Sequence, residues 1–243
     1  MADKLKITVV CDNNPHTPGL QTGWGFACLI TGTEKTILFD TGPSGKMLLD
    51  NMNSLAIDPD RIDAVVLSHN HPDHTGGLKN LLETNTKATV YLPAGSWAKL
   101  NKKIDNNQRQ IIRVDKSLQI CRDVYSTGSI GWLIKEQSLI IRTQKGLITI
   151  TGCAHPGIVR ILDAVRNFLK NDILLLMGGF HLEWTTKSAI LKTIDRLRQF
   201  KVKYVAPAHC CGPRAHALLK EAFAARYINV GAGAIVFPAE LPP

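Results

Sequence analysis

Six of the eight histidines in this 243-residue chain, His69, His71, His74, His155, His181 and His209, come just after short apolar runs. Three of them fall in one string, Ser68-His69-Asn70-His71-Pro72-Asp73-His74-Thr75-Gly76-Gly77. In extended backbone, residues two apart project to the same side, so His69 and His71 can offer their imidazoles to one ion. The turn enforced after Pro72 lets Asp73 and His74 address a second position close by. Imidazole together with carboxylate is ligand chemistry for zinc, iron or manganese, and is too rich in nitrogen for calcium or magnesium. A chance His-x-His-x-Asp-His string arises in fewer than roughly one chain in a thousand, which favours a metal-binding loop over a merely polar one.

Other residues carry more than one reading. Cys153, as a thiolate, would be a soft ligand favouring zinc or iron; as a buried thiol it would be inert. His181 can ligate, donate a proton or hydrogen-bond a substrate, or it can be satisfied by backbone groups. Cys210 and Cys211 are adjacent, and neighbouring cysteines close a disulfide only with backbone strain, so two reduced thiols are expected. The six cysteines are scattered without CxxC pairs, which argues against a disulfide framework or a structural zinc site. His16 and His216 lack such context and read as surface residues.

These side chains need a scaffold that brings distant segments to one place. The first third of the chain is β-rich, with Lys6 to Val10, Phe26 to Thr31 and Lys35 to Asp40 separated by turn-formers, as in a meander. A helix is predicted over Gly45 to Asn53. The continuous apolar core of Ile62 to Leu67 then predicts a strand covered on both faces, ending at the histidine string. A helix over Leu78 to Glu83 and a strand over Ala88 to Leu92 follow. Between Ile111 and Ile150 come further strands, including Leu139 to Thr143 and Leu147 to Thr151. The period then turns helical: Ile158, Ile161, Leu162, Val165, Phe168 and Leu169 share one face, as do Ile190, Leu191, Ile194 and Leu197, and Leu218, Leu219, Ala222 and Phe223. Strands at Ile173 to Met177 and Tyr204 to Ala206 join these helices. Strands clustered first and then alternating with helices predict an α/β (α+β) fold, two sheets covered outside by helices in a four-layer αββα sandwich, with residues 1–243 as one domain.

Lysine and arginine number 29 against 20 aspartates and glutamates, a formal charge of +9, so the surface field favours anionic ligands. The basic residues are dispersed and only 6% of residues are aromatic, which places a nucleic-acid track behind a solvated basic face. Neither a signal peptide nor an apolar run long enough to cross a bilayer is seen, and the expected location is cytoplasmic.

The string His69-Asn70-His71-Pro72-Asp73-His74, preceded by Leu38-Phe39-Asp40-Thr41-Gly42, resembles the metallo-β-lactamase superfamily, whose HxHxDH loop holds one or two metal ions at the edge of an αββα sandwich. The segments Glu136-Gln137-Ser138-Leu139, Thr151-Gly152-Cys153-Ala154-His155-Pro156-Gly157-Ile158, Gly178-Gly179-Phe180-His181-Leu182 and Pro207-Ala208-His209-Cys210-Cys211-Gly212 are similar to a subfamily of metal-dependent hydrolases. Some members of that subfamily are named as a pterin-linked ribofuranosyl-aminobenzene phosphate synthase. The resemblance implies that His69, His71, Asp73, His74 and His209 are metal ligands and that Asp40 braces the histidine loop. The chain departs from the superfamily in having Cys153 where many members have a bridging aspartate, and no histidine from Tyr125 to Gly146; His155 is the candidate replacement.

The expected activity is hydrolysis of a small anionic substrate, such as a phosphate ester or phosphodiester, by a metal-activated water. Asp73 and His181 are the candidate catalytic residues, and one or two divalent ions the cofactor, zinc first, with iron or manganese as alternatives. Competing expectations are a pterin-type biosynthetic synthase on the same fold, an iron-based redox module, for which the chain lacks an evident flavin domain, and a nucleic-acid-binding nuclease.

Overall fold

The computed structural model describes residues 4–104 and 109–242. Its strands are β1 (Lys6–Cys11), β2 (Ala27–Thr31), β3 (Ile37–Phe39), β4 (Ala64–Val66), β5 (Thr89–Pro93), β6 (Ile111–Val114), β7 (Lys116–Cys121), β8 (Val124–Gly128), β9 (Leu139–Thr143), β10 (Gly146–Thr151), β11 (Ile173–Gly178), β12 (Tyr204–Pro207) and β13 (Ile235–Val236). The helices are α1 (Gly45–Ser54), α2 (Pro72–Thr75), α3 (Leu78–Thr84), α4 (Trp97–Leu100), α5 (Ile158–Phe168), α6 (Lys187–Gln199) and α7 (Gly212–Phe223). One sheet runs β13-β1-β2-β3-β4-β5-β6 and the other β12-β11-β10-β9-β8-β7.

Three apolar clusters show how four layers stack. Between the sheets, Val9, Ile30, Phe39 and Val66 meet Ile141, Ile148, Leu174 and Met177. Outside the first sheet, Leu38, Val65 and Val90 pack on Leu48 and Met52 of α1 and Leu81 of α3. Outside the second, Leu147 and Leu176 pack on Ile161 of α5, Ile194 of α6 and Leu219 of α7. Strand β4 shows why a continuous apolar run is required: Ala64 and Val66 face the inner cluster while Val65 faces the helices. The result is the αββα sandwich, with helix faces close to those read from the period. Phe168 and Leu191, at the margins of their stripes, are 38% and 42% exposed; Phe168 packs edge-on to Tyr125, with ring centroids 5.7 Å apart. Among the described residues no helix is long and apolar enough to cross a membrane.

Strand direction places the chemistry. β1, β2 and β3 form an antiparallel meander, but β3, β4 and β5 run parallel, as do β10, β11 and β12. The carboxyl ends of parallel strands lie along one edge, so the residues that follow them are neighbours in space whatever their separation in sequence. Asp40 follows β3, the histidine string follows β4, Cys153 and His155 follow β10, His181 follows β11, and His209 follows β12.

Candidate metal centre

At that edge the imidazoles meet. The His69 ring lies 4.5 Å from His71, 4.6 Å from His155 and 4.3 Å from His74, and His74 lies 5.0 Å from His209. His71 and His155 are 4.8 Å apart. Ligand atoms of Asp73, His74, Cys153 and His209 lie within 4.8 Å of one another, as do those of His69, Cys153 and His155. Two clusters therefore share Cys153, whose sulfur is 3.2 Å from His74 Nε2. The His71 ring adjoins those of His69 and His155. A third set, Cys153, His181 and Cys210, adjoins them.

Hydrogen-bond partners settle the tautomers. Ser68 Oγ donates to Asp40 Oδ2 at 2.7 Å, so its contact with His69 Nδ1 at 2.9 Å is received from an Nδ1–H. His74 Nδ1 faces Asp40 Oδ2 at 2.7 Å and His155 Nδ1 faces Glu136 Oε2 at 3.0 Å; a carboxylate accepts, so both rings carry their proton there. The Asn13 amide is oriented by donating Nδ2–H to the His209 carbonyl at 3.2 Å, which turns its oxygen to His209 Nδ1 at 2.9 Å. All four rings are thus braced at Nδ1 and present Nε2 to the shared space, the arrangement that orients metal-binding histidines. His69 Nε2 and His209 Nε2 are buried without a hydrogen-bond partner. Orphaned buried acceptors are costly, and a cation beside each removes that cost; the donor set fits divalent ions.

Local electrostatics differ from group to group. Burial, then repulsion from His74, push His69 down to about 2, so its lone pair is free. Burial disfavours charge on His74, but Asp40 and Asp73 outweigh it and push its pKa up to about 8. Burial alone would raise Asp73, yet the close approach of His209, at 3.3 Å, and the charges of His74 and His209 hold it well below the usual carboxylate range. The thiol contact with Cys210 and burial push Cys153 up, so ligation there must displace a proton.

The loops are held in unusual backbone. Asp40, Ala154, His181 and His209 adopt positive φ, at 57°, 59°, 55° and 47°, and such strain persists where surrounding contacts over-determine it. Asp40 accepts from the Ser68 backbone N–H at 2.7 Å as well as from its side chain. A Cβ at Gly152 would collide with Ser68 Oγ, and one at Gly76 with the Pro43 carbonyl, so both positions require glycine for close approach.

The family model for the metallo-beta-lactamase superfamily matches residues 25–164. The chain belongs to the metallo-β-lactamase superfamily. Its members bind divalent metals, and the two sheets with their outer helices are those of the metallo-β-lactamase fold. A 7,8-dihydropterin-6-methyl-4-(β-D-ribofuranosyl)-aminobenzene-5'-phosphate synthase of Methanocaldococcus jannaschii is 29% identical, over 96% of this chain and 97% of its own. A solved structure described as a metal-dependent hydrolase of the β-lactamase superfamily is 26% identical with a TM-score of 0.81, covering 96% of this chain and 98% of that one. The Bacillus subtilis metallo-β-lactamase fold protein YhfI, 15% identical with a TM-score of 0.71 over 96% of this chain and 99% of its own, shares the fold.

Against this metallo-β-lactamase frame, the residues left without a role by the sequence are those that brace the candidate ligands. Glu136 is fully buried and accepts the backbone N–H groups of Cys153, Ala154 and His155, at 2.8, 2.9 and 3.0 Å. Burial works against its charge, but His155, His69 and the Ala154 N–H hold its pKa at about 2. Asp12 takes the His209 N–H at 3.1 Å. Ser68 and Asn13 complete the bracing. Glu136 stands among Lys135, Gln137 and Ser138 just before β9, so nothing in its surroundings marks it as buried, and its partner lies 19 residues on, where no local rule points. All six cysteines are free and buried, and the Cys210 sulfur lies by Cys153 rather than paired with its chain neighbour Cys211 in a disulfide. His216, read as a surface residue, is half-buried instead: α7 turns its Nδ1 to the Tyr227 hydroxyl at 2.7 Å.

Proposed function

We propose that the chain is a metal-dependent hydrolase of small anionic esters, phosphate esters and phosphodiesters first. The observation that carries this reading is the set of four imidazoles locked at Nδ1 with Nε2 directed inward around Cys153. His69, His71 and His155 would hold one ion and Asp73, His74 and His209 a second, with Cys153 between them. Imidazole with thiolate makes zinc the preferred ion, ahead of iron or manganese. When bound, such ions supply Lewis acidity to a water and to the ester oxygen.

The chain's own residues do the rest. The Asp73 side chain is 19% exposed at the margin of the cluster, where it orients the attacking water. His181 is exposed at the rim, its ring 4.6 Å from His155, and contact with Cys210 favours its protonated form. It donates that proton to the leaving oxygen. The net charge of +9 draws the anionic substrate in.

The likeness to the Methanocaldococcus jannaschii synthase across 96% of the chain favours a second reading, biosynthetic condensation on a pterin-type substrate. A panel of chromogenic phosphomonoesters, phosphodiesters, lactones and thioesters, assayed with zinc, manganese or iron, decides between them. Metal-dependent turnover supports the hydrolase; inertness toward every ester, with ions bound, sinks it in favour of the synthase.

A further inference from the structure

Trp24, Trp132 and Trp184 are exposed, and two of them meet beside the metal centre. Trp24 stands just before β2 and Trp184 just after β11, yet their ring centroids are 5.8 Å apart with planes inclined by 45°. The Trp24 ring also lies 4.8 Å from the His209 ring. Both are anchored to ligand loops: Phe26 N–H donates to the Asp73 carbonyl at 3.2 Å, and the N–H groups of Leu182 and Glu183 donate to the Cys210 carbonyl at 3.1 and 3.2 Å. Trp24 is nevertheless 41% exposed and Trp184 76%.

Indole rings carry a large apolar surface, and leaving two of them together in water forgoes the stabilisation their burial brings. A ligand ring laid on them removes apolar area from both partners. Two flat faces inclined to one another make an open wedge, which gives a planar ring a stacking contact that a puckered or alkyl group of equal area lacks. The wedge borders His209, so a ring resting there leaves an attached acidic group within reach of the clustered imidazoles. The basic residues form no run interleaved with aromatics, which favours a small molecule over a nucleic-acid strand.

We infer that Trp24 and Trp184 form a stacking platform and that the substrate is an anionic ester of a planar aromatic or heteroaromatic compound, its ring on the tryptophans and its acidic group at the metal centre. The identity of the reaction rests on the hydrolase reading; the binding of the ring does not.

The test is calorimetric titration of zinc-loaded protein with phenylphosphonate, cyclohexylphosphonate and methylphosphonate, which share one charged group and cannot be cleaved as esters. Phenylphosphonate is expected to bind about five-fold more tightly than cyclohexylphosphonate. Trp184→Ala, at the more exposed position, should bring the two to parity while leaving methylphosphonate within about two-fold of its original affinity, and Trp24→Ala should do the same. Parity in the unaltered protein, uniform weakening of all three ligands by Trp184→Ala, or equal loss of the preference in Trp132→Ala would overturn the proposal. So would a short oligothymidylate that binds through the same tryptophans far more tightly than phenylphosphonate and in a salt-dependent way. Because no turnover is read, a ring preference in a protein that cleaves no ester sinks the hydrolase and keeps the platform. Ester cleavage without a ring preference does the reverse.

Discussion

Glu136 Oε2 lies 3.0 Å from His155 Nδ1, and the same carboxylate collects three successive backbone N–H groups leading to that histidine. One buried side chain thus sets both the path of the Cys153-Ala154-His155 turn and the tautomer of its imidazole. Replacing it with glutamine puts an amide NH2 where one oxygen accepted, opposing a donor with a donor. Glu136→Gln should weaken metal binding by about 10- to 100-fold and cost roughly 1–3 kcal/mol of stability. Competition with a chromogenic chelator and denaturant unfolding measure the two effects; unchanged metal affinity would contradict the bracing role.

The two clusters should be separable. His71→Ala removes a donor from the cluster of His69 and His155, whereas Asp73→Ala removes one from the cluster of His74 and His209. Each variant is expected to lose bound metal and activity together, with metal content measured by elemental analysis after dialysis. Full activity in either variant after metal removal would end the metal-dependent reading.

Cys153 sits where both clusters can use its sulfur. Cobalt-substituted protein should therefore show thiolate-to-metal charge-transfer absorption in the near ultraviolet, and Cys153→Ser should abolish it while the Cys28→Ser control retains it. A charge-transfer band that persists in Cys153→Ser would assign the thiolate elsewhere.

Metal removal should destabilise the fold, because ions that bind only the native state stabilise it by mass action. His69 Nε2 and His209 Nε2 are buried acceptors that an ion satisfies. The apo protein is expected to melt at a lower temperature than the zinc-loaded form, and re-addition of zinc should restore the higher value. Equal melting temperatures would mean that no ion is held by the native centre.

His216 lies away from the metal centre, and burial lowers its pKa from 6.5. The folded state therefore resists its protonation while the unfolded chain accepts it. Stability from this group is present in full above about 6.5 and falls as pH drops through that value toward the folded pKa. The stability difference between the parent and His216→Gln should shrink between neutral pH and pH about 5; a difference that grows on acidification would reverse the assignment.

Much of the fold was legible because it is written in local periods. The apolar run ending at Leu67 and the stripes on α5, α6 and α7 report which faces are buried, and burial is what a period encodes. The HxHxDH string was legible for a similar reason, since its members are neighbours in the chain and a turn suffices to place them. Margins were less so: Leu191 continues its stripe, yet the edge of an amphipathic face is set by how the helix rolls on its sheet, and it is left 42% exposed.

By itself the sequence determined the αββα layering and singled out residues 69–74 as candidate metal ligands, because each depends on residue types within one element or one loop. Tertiary structure alone decided which oxygen braces which imidazole, that Cys153 stands between two clusters beside Cys210, and that Trp24 meets Trp184 against His209. Those pairings join loops that flank different strands, and their geometry is set by strand register and sheet twist, which no window of sequence contains.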